Sequence, residues 1–318
     1  VETILRQKTT LAYPELGLIA KNMIKRTGIF AQSIQNVYFC RRGQNVSTSA
    51  NMNIPNGDIK YFDYESFFED RLSKGIYTFS TDDLSSLEIQ ASAYRRALSR
   101  YVRKGTIYPV RKGFYIIIPV EYKTKGIVPE SLFIADLMSH LRRPYYVGLL
   151  SAAALHGAAH QQPMSFYVIQ GGAPLREIST EKHKIDFISK HSWSSLCTMT
   201  IKTKAGYMNV STPEATMLDL IEYQRTLGIG RVTEVLLELS ERIDRIRFRK
   251  TLPLYAVALR QRLGYIFDLL SLDSSLIEKS LSRKNLHIVP FSLIQSRKGN
   301  VNLKWKIIEN EIINIDIL

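Results

Sequence analysis

The sequence predicts an α/β (α+β) protein in which a winged helix-turn-helix precedes a larger mixed α/β domain. Three observations point there. Three helix signals followed by a hairpin signal run from Phe62 to Val120. Helical and strand-like segments then alternate without a fixed-period repeat to the C-terminus. The chain's 318 residues also exceed what one hydrophobic core ordinarily serves. The expected organisation is an extension and linker over residues 1–61, the winged helix over 62–120, a linker over 121–130 and the mixed domain over 131–318.

In the N-terminal part, residues 16–25 carry one short helical pattern, and residues 41–58, rich in Asn, Ser, Gly and charge, read as a linker. Val1 is not an ordinary translated start and Met52 stands just before the first well-patterned segment, so residues 1–51 read either as an extension or as upstream read-through.

From Phe62 a helix is expected to about Lys74, stopped at Gly75, with Tyr77 to Phe79 extended. Ser80, Thr81, Asp82 and Asp83 supply capping side chains for a second helix. A third spans Gln90 to Lys104, where Tyr94, Leu98, Tyr101 and Val102 recur at helical spacing and basic residues occupy the rest of the surface. Gly105 ends it, and Thr106 to Val110 and Phe114 to Ile118 form two strands joined at Arg111-Lys112-Gly113.

In the second domain, helices are expected at Ser131 to Leu141 and Gly148 to Gly157, and strands at Met164 to Gln170, Ile185 to Ile188, Leu196 to Thr203 and Tyr207 to Val210. A helix then starts either with Ser211 and Glu214 as a capping box or with Thr212 as N-cap and Pro213 at its first position. Val232, Val235, Leu236 and Leu239 mark another helix, and Leu254 to Leu263 a third. The alternation of Val301, Leu303, Trp305 and Ile307 with polar residues predicts a half-exposed strand.

With 43 Lys and Arg against 29 Asp and Glu, the formal charge is +14 and the pI about 9.6, which favours a polyanionic partner. The excess is concentrated: Arg95, Arg96, Arg100, Arg103, Lys104, Arg111, Lys112, Lys123 and Lys125 face Glu121 alone between residues 95 and 125. Arg96, Arg100 and Arg103 share one helical stripe, where like charges destabilise an isolated helix by about 0.2–0.5 kcal/mol per pair, a cost that a polyanion relieves. A helix fits the major groove, where Arg donates two hydrogen bonds to guanine. The candidate duplex-DNA contacts are therefore Gln90, Ser92, Arg95, Arg96, Ser99, Arg100, Arg103 and Lys104 on the helix, with Arg111 and Lys112 at the hairpin tip reaching phosphate. Arg231, Arg242, Arg245, Arg247, Arg249, Lys250, Arg260 and Arg262 offer a second basic surface, with Arg242, Arg245 and Arg249 as its candidate contacts to DNA beyond the half-site or to RNA, but exposed charged helices are common and a solvated face is the preferred reading.

Other chemistry finds little footing. Cys40 and Cys197 form no CxxC pair, which fits a reducing cytoplasm. No stretch has the roughly 20 apolar residues of a membrane helix, and no secretory signal is recognisable. His156 and His160 have a metal-sharing spacing, but Gly157 stands where a zinc-hydrolase helix needs Glu, so no metal is expected. Glu121 and Lys123 match half of a nuclease motif without an upstream partner, and no phosphate-binding loop or nucleophile elbow occurs. Neither catalytic residues nor a cofactor are expected. Tyr145, Tyr146 and Trp305 read as core aromatics before they read as base-stacking platforms. The rival classes are a nuclease-like enzyme and a protein-interaction module.

The runs Tyr77-Thr-Phe-Ser-Thr-Asp-Asp-Leu84, Arg95-Arg-Ala-Leu-Ser-Arg100, Lys104-Gly105, Arg111-Lys-Gly-Phe-Tyr115, Pro144-Tyr-Tyr-Val-Gly-Leu-Leu-Ser-Ala-Ala-Ala-Leu-His-Gly157 and Ser211-Thr-Pro-Glu-Ala215 resemble the AbiEi antitoxin family over residues 62–310. The resemblance implies a type IV toxin–antitoxin system of bacterial phage defence. In such a system the winged helix represses its own operon at promoter inverted repeats, and the C-terminal domain counteracts a nucleotidyltransferase-like toxin without having to touch it. It assigns DNA binding to Arg95, Arg96, Ser99, Arg100, Arg103, Arg111 and Lys112, and gives the run from Pro144 to Gly157 no catalytic meaning.

Overall fold

The structure, a computed structural model, describes residues 62–313 except 88, 125, 159–162 and 283. The helix expected at 16–25, the linker at 41–58 and His160 lie outside the described residues.

Helix α1 (Tyr64–Ser73) is capped by Asp63, which accepts from the backbone of Glu65 and Ser66. Strand β1 (Thr78–Ser80) leads into α2 (Thr81–Ser86) through a reciprocal capping box between Ser80 and Asp83. Helix α3 (Ala91–Arg103) buries Tyr94, Ala97, Leu98 and Tyr101. Gly105, at φ +70°, supplies the left-handed backbone that turns α3 into β2 (Ile107–Arg111). With β3 (Phe114–Ile117) these strands make an antiparallel sheet in the order β1-β3-β2. The element order is that of a winged helix, with Lys112 and Gly113 as the wing's turn.

Both faces of this small sheet are covered. Phe79, Ile107 and Ile117 pack on α1 and α3, beside Tyr64, Phe68, Leu98 and Tyr101. Val110, Phe114, Ile116 and Ile118 join instead a core built with Leu137, Met138, Val147, Val168 and Ile185 from the following half of the chain. Residues 121–130, expected as a linker, include Val128, only 1% exposed in that same core. All described residues accordingly fall in one unit.

Beyond the wing come α4 (Ile134–His140), β4 (Tyr145–Val147), α5 (Leu149–Leu155), β5 (Phe166–Gln170), β6 (Ile178–Ser179), β7 (Lys184–Ser189), β8 (Thr198–Thr203) and β9 (Gly206–Ser211). The strands form a mixed six-stranded sheet in the order β6-β7-β5-β4-β9-β8, with β4 parallel to β9 and β5 parallel to β7. Its side chains alternate: Val147, Val168 and Ile185 face the core shared with the wing, whereas Tyr146 and Ile169 face a helical layer.

That layer contains α6 (Pro213–Glu222), α7 (Gln224–Leu227), α8 (Ile229–Ser240), α9 (Arg245–Thr251), α10 (Val257–Leu269) and α11 (Ser275–Leu281). Between the two starts open for α6, the structure adopts Thr212 as N-cap, accepting from Ala215 N–H at 3.3 Å, with Pro213 in the first turn. Ser211 is excluded because its hydroxyl is engaged with that of Thr216 at 2.6 Å, and Glu214 reaches across to Asp244 N–H at 2.8 Å.

The chain closes with β10 (Val289–Pro290), β11 (Asn300–Asn302) and β12 (Ile307–Glu309), in the order β10-β12-β11. The single strand expected through Val301 and Ile307 is instead a hairpin. The Asn302 carboxamide accepts Trp305 N–H at 3.1 Å and closes the turn, with Leu303 outside and Trp305 inside, packed against Gly264 where a methyl group would collide with the ring.

Candidate nucleic-acid interface

The α3 stripe of Tyr94, Ala97, Leu98 and Tyr101 is consumed by the core, which leaves Ser92, Arg95, Arg96, Ser99, Arg100 and Arg103 exposed. Gln90, the N-cap residue, is exposed and makes no capping bond with its side chain. Arg96 folds back along the helix, its Nε donating to Ser92 O at 3.3 Å, and the Arg100 guanidinium lies 5.8 Å from the Tyr101 ring centroid. Among the described residues no carboxylate pairs with Arg95, Arg96, Arg100 or Arg103. Lys104 differs: it sits 3.7 Å from Glu65 and 5.4 Å from the Tyr101 ring, tying the end of α3 to α1.

At the wing, Lys112 is exposed. Arg111, expected beside it against phosphate, is turned inward. Its Nη2 donates to Arg176 O at 3.1 Å, its guanidinium lies 5.6 Å from the Phe187 ring centroid, and its Nη1 is buried with no hydrogen-bond partner. Burial holds its pKa below the ordinary arginine value. The cause is a one-residue bulge: register shifts between Pro109 and Arg111, placing Arg111 opposite Phe114 on the sheet face turned to the second core.

The second basic surface is smaller than the sequence count. Arg242 and Arg249 are exposed, and Arg245 is exposed but paired with Asp273 at 2.8 Å. Arg260 and Arg262 leave the surface altogether: they are 4% and 5% exposed and donate to Ser280 O at 2.8 Å and Pro290 O at 2.9 Å. Burial lowers the pKa of Arg262 to about 10. Tyr146 and Trp305 are buried, which leaves them no face for a base. Glu121 pairs with Lys204 at 3.4 Å on the surface.

A polar cluster escaped the sequence reading. Asp219, fully buried in α6, accepts from Lys190 Nζ at 2.7 Å and from the hydroxyls of Tyr146 and Tyr255 at 2.9 Å each; Lys190 also donates to Glu222 at 2.8 Å. Burial alone would lower the Lys190 pKa, but the two carboxylates outweigh it and raise it. Burial pushes both tyrosines far above their ordinary value. None of the cluster's buried polar side-chain atoms is left without a hydrogen-bond partner, and the cluster fastens β4 and the end of β7 to α6. Its one trace in the sequence is a carboxylate inside the apolar run Met217-Leu218-Asp219-Leu220-Ile221. His156 is likewise structural, its Nε2 lying 2.7 Å from Ser211 O, and burial lowers its pKa. Among the described residues no group of three or more His, Cys, Asp or Glu stands together to hold a metal, and no helix is long and apolar enough to cross a membrane.

Comparison with known proteins gives two positive findings. The crystal structure of the RV2827C protein from Mycobacterium tuberculosis shares the fold at TM-score 0.54 and 14% identity, covering 76% of this chain and 91% of that one. A search of curated proteins finds no match. Residues 146–269, which hold the whole Asp219 cluster, match the family described as AbiEi antitoxin C-terminal domain. Over that segment the chain is similar to the AbiEi antitoxin C-terminal domain, which supports an antitoxin role.

Proposed function

We propose that the protein is the DNA-binding autorepressor and antitoxin of a bacterial type IV phage-defence operon, acting in the cytoplasm without catalytic turnover against a nucleotidyltransferase-like toxin. The observation that carries the DNA-binding part is α3: its apolar stripe is spent on the core, while its arginines face solvent with no carboxylate partner among the described residues. Uncompensated positive charge on a helix of major-groove width suits a duplex. In this reading Arg95 and Arg96, with Gln90, Ser92 and Ser99, meet base edges, Arg100 and Arg103 meet phosphate farther along the groove, and Lys112 sets the register from the wing. Arg242, Arg245 and Arg249 would add at most a salt-sensitive contribution beyond the half-site.

The test is a salt-titrated binding assay on the protein's own promoter duplex and a scrambled one. Arg96→Ala is expected to lose about 1–3 kcal/mol of discrimination between the two. Lys112→Ala is expected to weaken both alike and to reduce the slope of log K against log salt by about one. Equal affinity of the unsubstituted protein for both duplexes at every salt concentration would sink the repressor reading, and a toxin that remains active when the two genes are expressed together would sink the antitoxin pairing.

A further inference from the structure

We propose that Arg111 is a positioning residue for the wing: it contacts no nucleic acid, and by clamping the hairpin to the second domain it holds Lys112 where a phosphate would lie. The proposal rests on the reading of α3 and the wing as a duplex-binding surface. Cross-strand partners project from the same face of a sheet, so the bulge that pairs Arg111 with Phe114 sends the guanidinium toward the six-stranded sheet. There it meets a backbone carbonyl of the segment before β6 and an aromatic side chain of β7. From the other side, Thr81 N–H donates to Gly113 O at 2.8 Å. The turn is thus gripped between the N-terminus of α2 and the second domain, and Lys112 is its exposed cation. A free two-residue turn would have to order itself on binding, whereas a clamped one presents its charge already in place.

Position and contact make different predictions for the same substitution. Acting through Lys112, Arg111→Ala should weaken promoter and scrambled duplexes alike, on the order of tenfold, without changing the salt slope. In a Lys112→Ala background the same substitution should have no further effect. In the free protein, amide exchange at Lys112, Gly113 and Phe114 should accelerate. Arg111→Met, which keeps the stem over Phe187 and loses the charge and the hydrogen bond, carries the same test where Arg111→Ala does not fold. A salt slope reduced by about one, or effects of Arg111 and Lys112 that simply multiply, would make Arg111 a direct phosphate contact and overturn the proposal. So would unchanged exchange at the turn. If the unsubstituted protein binds no duplex, the functional role falls together with the reading it rests on, and the exchange measurement alone decides whether the clamp exists.

Discussion

The carboxylate of Asp268 accepts from Trp305 Nε1 at 2.7 Å, Ser274 Oγ at 2.7 Å and Lys304 Nζ at 2.8 Å. Burial by itself would raise its pKa, but these hydrogen bonds outweigh it and hold the group below the ordinary carboxylate value. The folded state then binds fewer protons than the unfolded chain in acid, so the contribution is complete above the unfolded value of about 3.9 and disappears as pH falls through the lowered one. An acid titration followed by tryptophan fluorescence should show Asp268→Asn less stable than the unsubstituted protein at pH 7, with the gap closing below about pH 4; a gap constant down to pH 2 would contradict the assignment. The reading of single residues from sequence succeeded where periodicity governs, as along α3. It failed where a side chain's direction depends on a partner far along the chain. A bulge between Pro109 and Arg111 reverses which way Arg111 points, and no local pattern announces it. Arg260 and Arg262 read as surface charge because charge in a sequence carries no sign of burial, and only the carbonyls of Ser280 and Pro290 explain why they are inside.

Among elements, α6 shows how capping chemistry resolves a start that two motifs fit equally well. Ser211 and Thr212 have the same hydroxyl, and the tertiary engagement of Ser211 with Thr216 decides between them. The same helix is joined to β7 by Lys190, whose ammonium bridges buried Asp219 and half-buried Glu222. Truncating one partner of such a buried pair leaves the other charged and desolvated, at a cost of about 3–5 kcal/mol. Lys190→Met should therefore lower the urea midpoint by that much stability, far more than a surface lysine such as Lys184 replaced in the same way. The pH dependence of the loss has a definite sign: a raised lysine pKa contributes fully below the unfolded value of about 10.4 and is lost only as pH rises through the folded one. The hairpin of β11 and β12 teaches the complementary lesson. Alternation of Val301, Leu303, Trp305 and Ile307 is the correct signature of a strand, yet the Asn302 side chain competes locally for the backbone and turns the chain between two short ones.

For the whole molecule, the winged helix and the mixed domain share a core, so neither is expected to unfold without the other. Ile116, fully buried on the wing face that meets Leu137, Met138 and Val168, should on truncation to Ala cost about 2–5 kcal/mol. Tryptophan fluorescence, which reports only from Trp193 and Trp305 in the second half, should shift together with the far-ultraviolet signal of the whole chain. A first transition confined to the winged helix would show the shared core to be weak. The sequence held a clue to this fusion: Phe114 to Ile118 is continuously apolar instead of alternating, the pattern of a strand covered on both faces. By itself the sequence determined the elements of the winged helix, the basic face of α3 and the alternation of helix and strand beyond it, because these follow from spacing, capping and side-chain chemistry within a turn or two of each residue. Only the tertiary structure decided that the wing is built into the second domain, that Arg111 faces inward and that Asp219 gathers Lys190, Tyr146 and Tyr255, because each of these depends on groups brought together from distant parts of the chain.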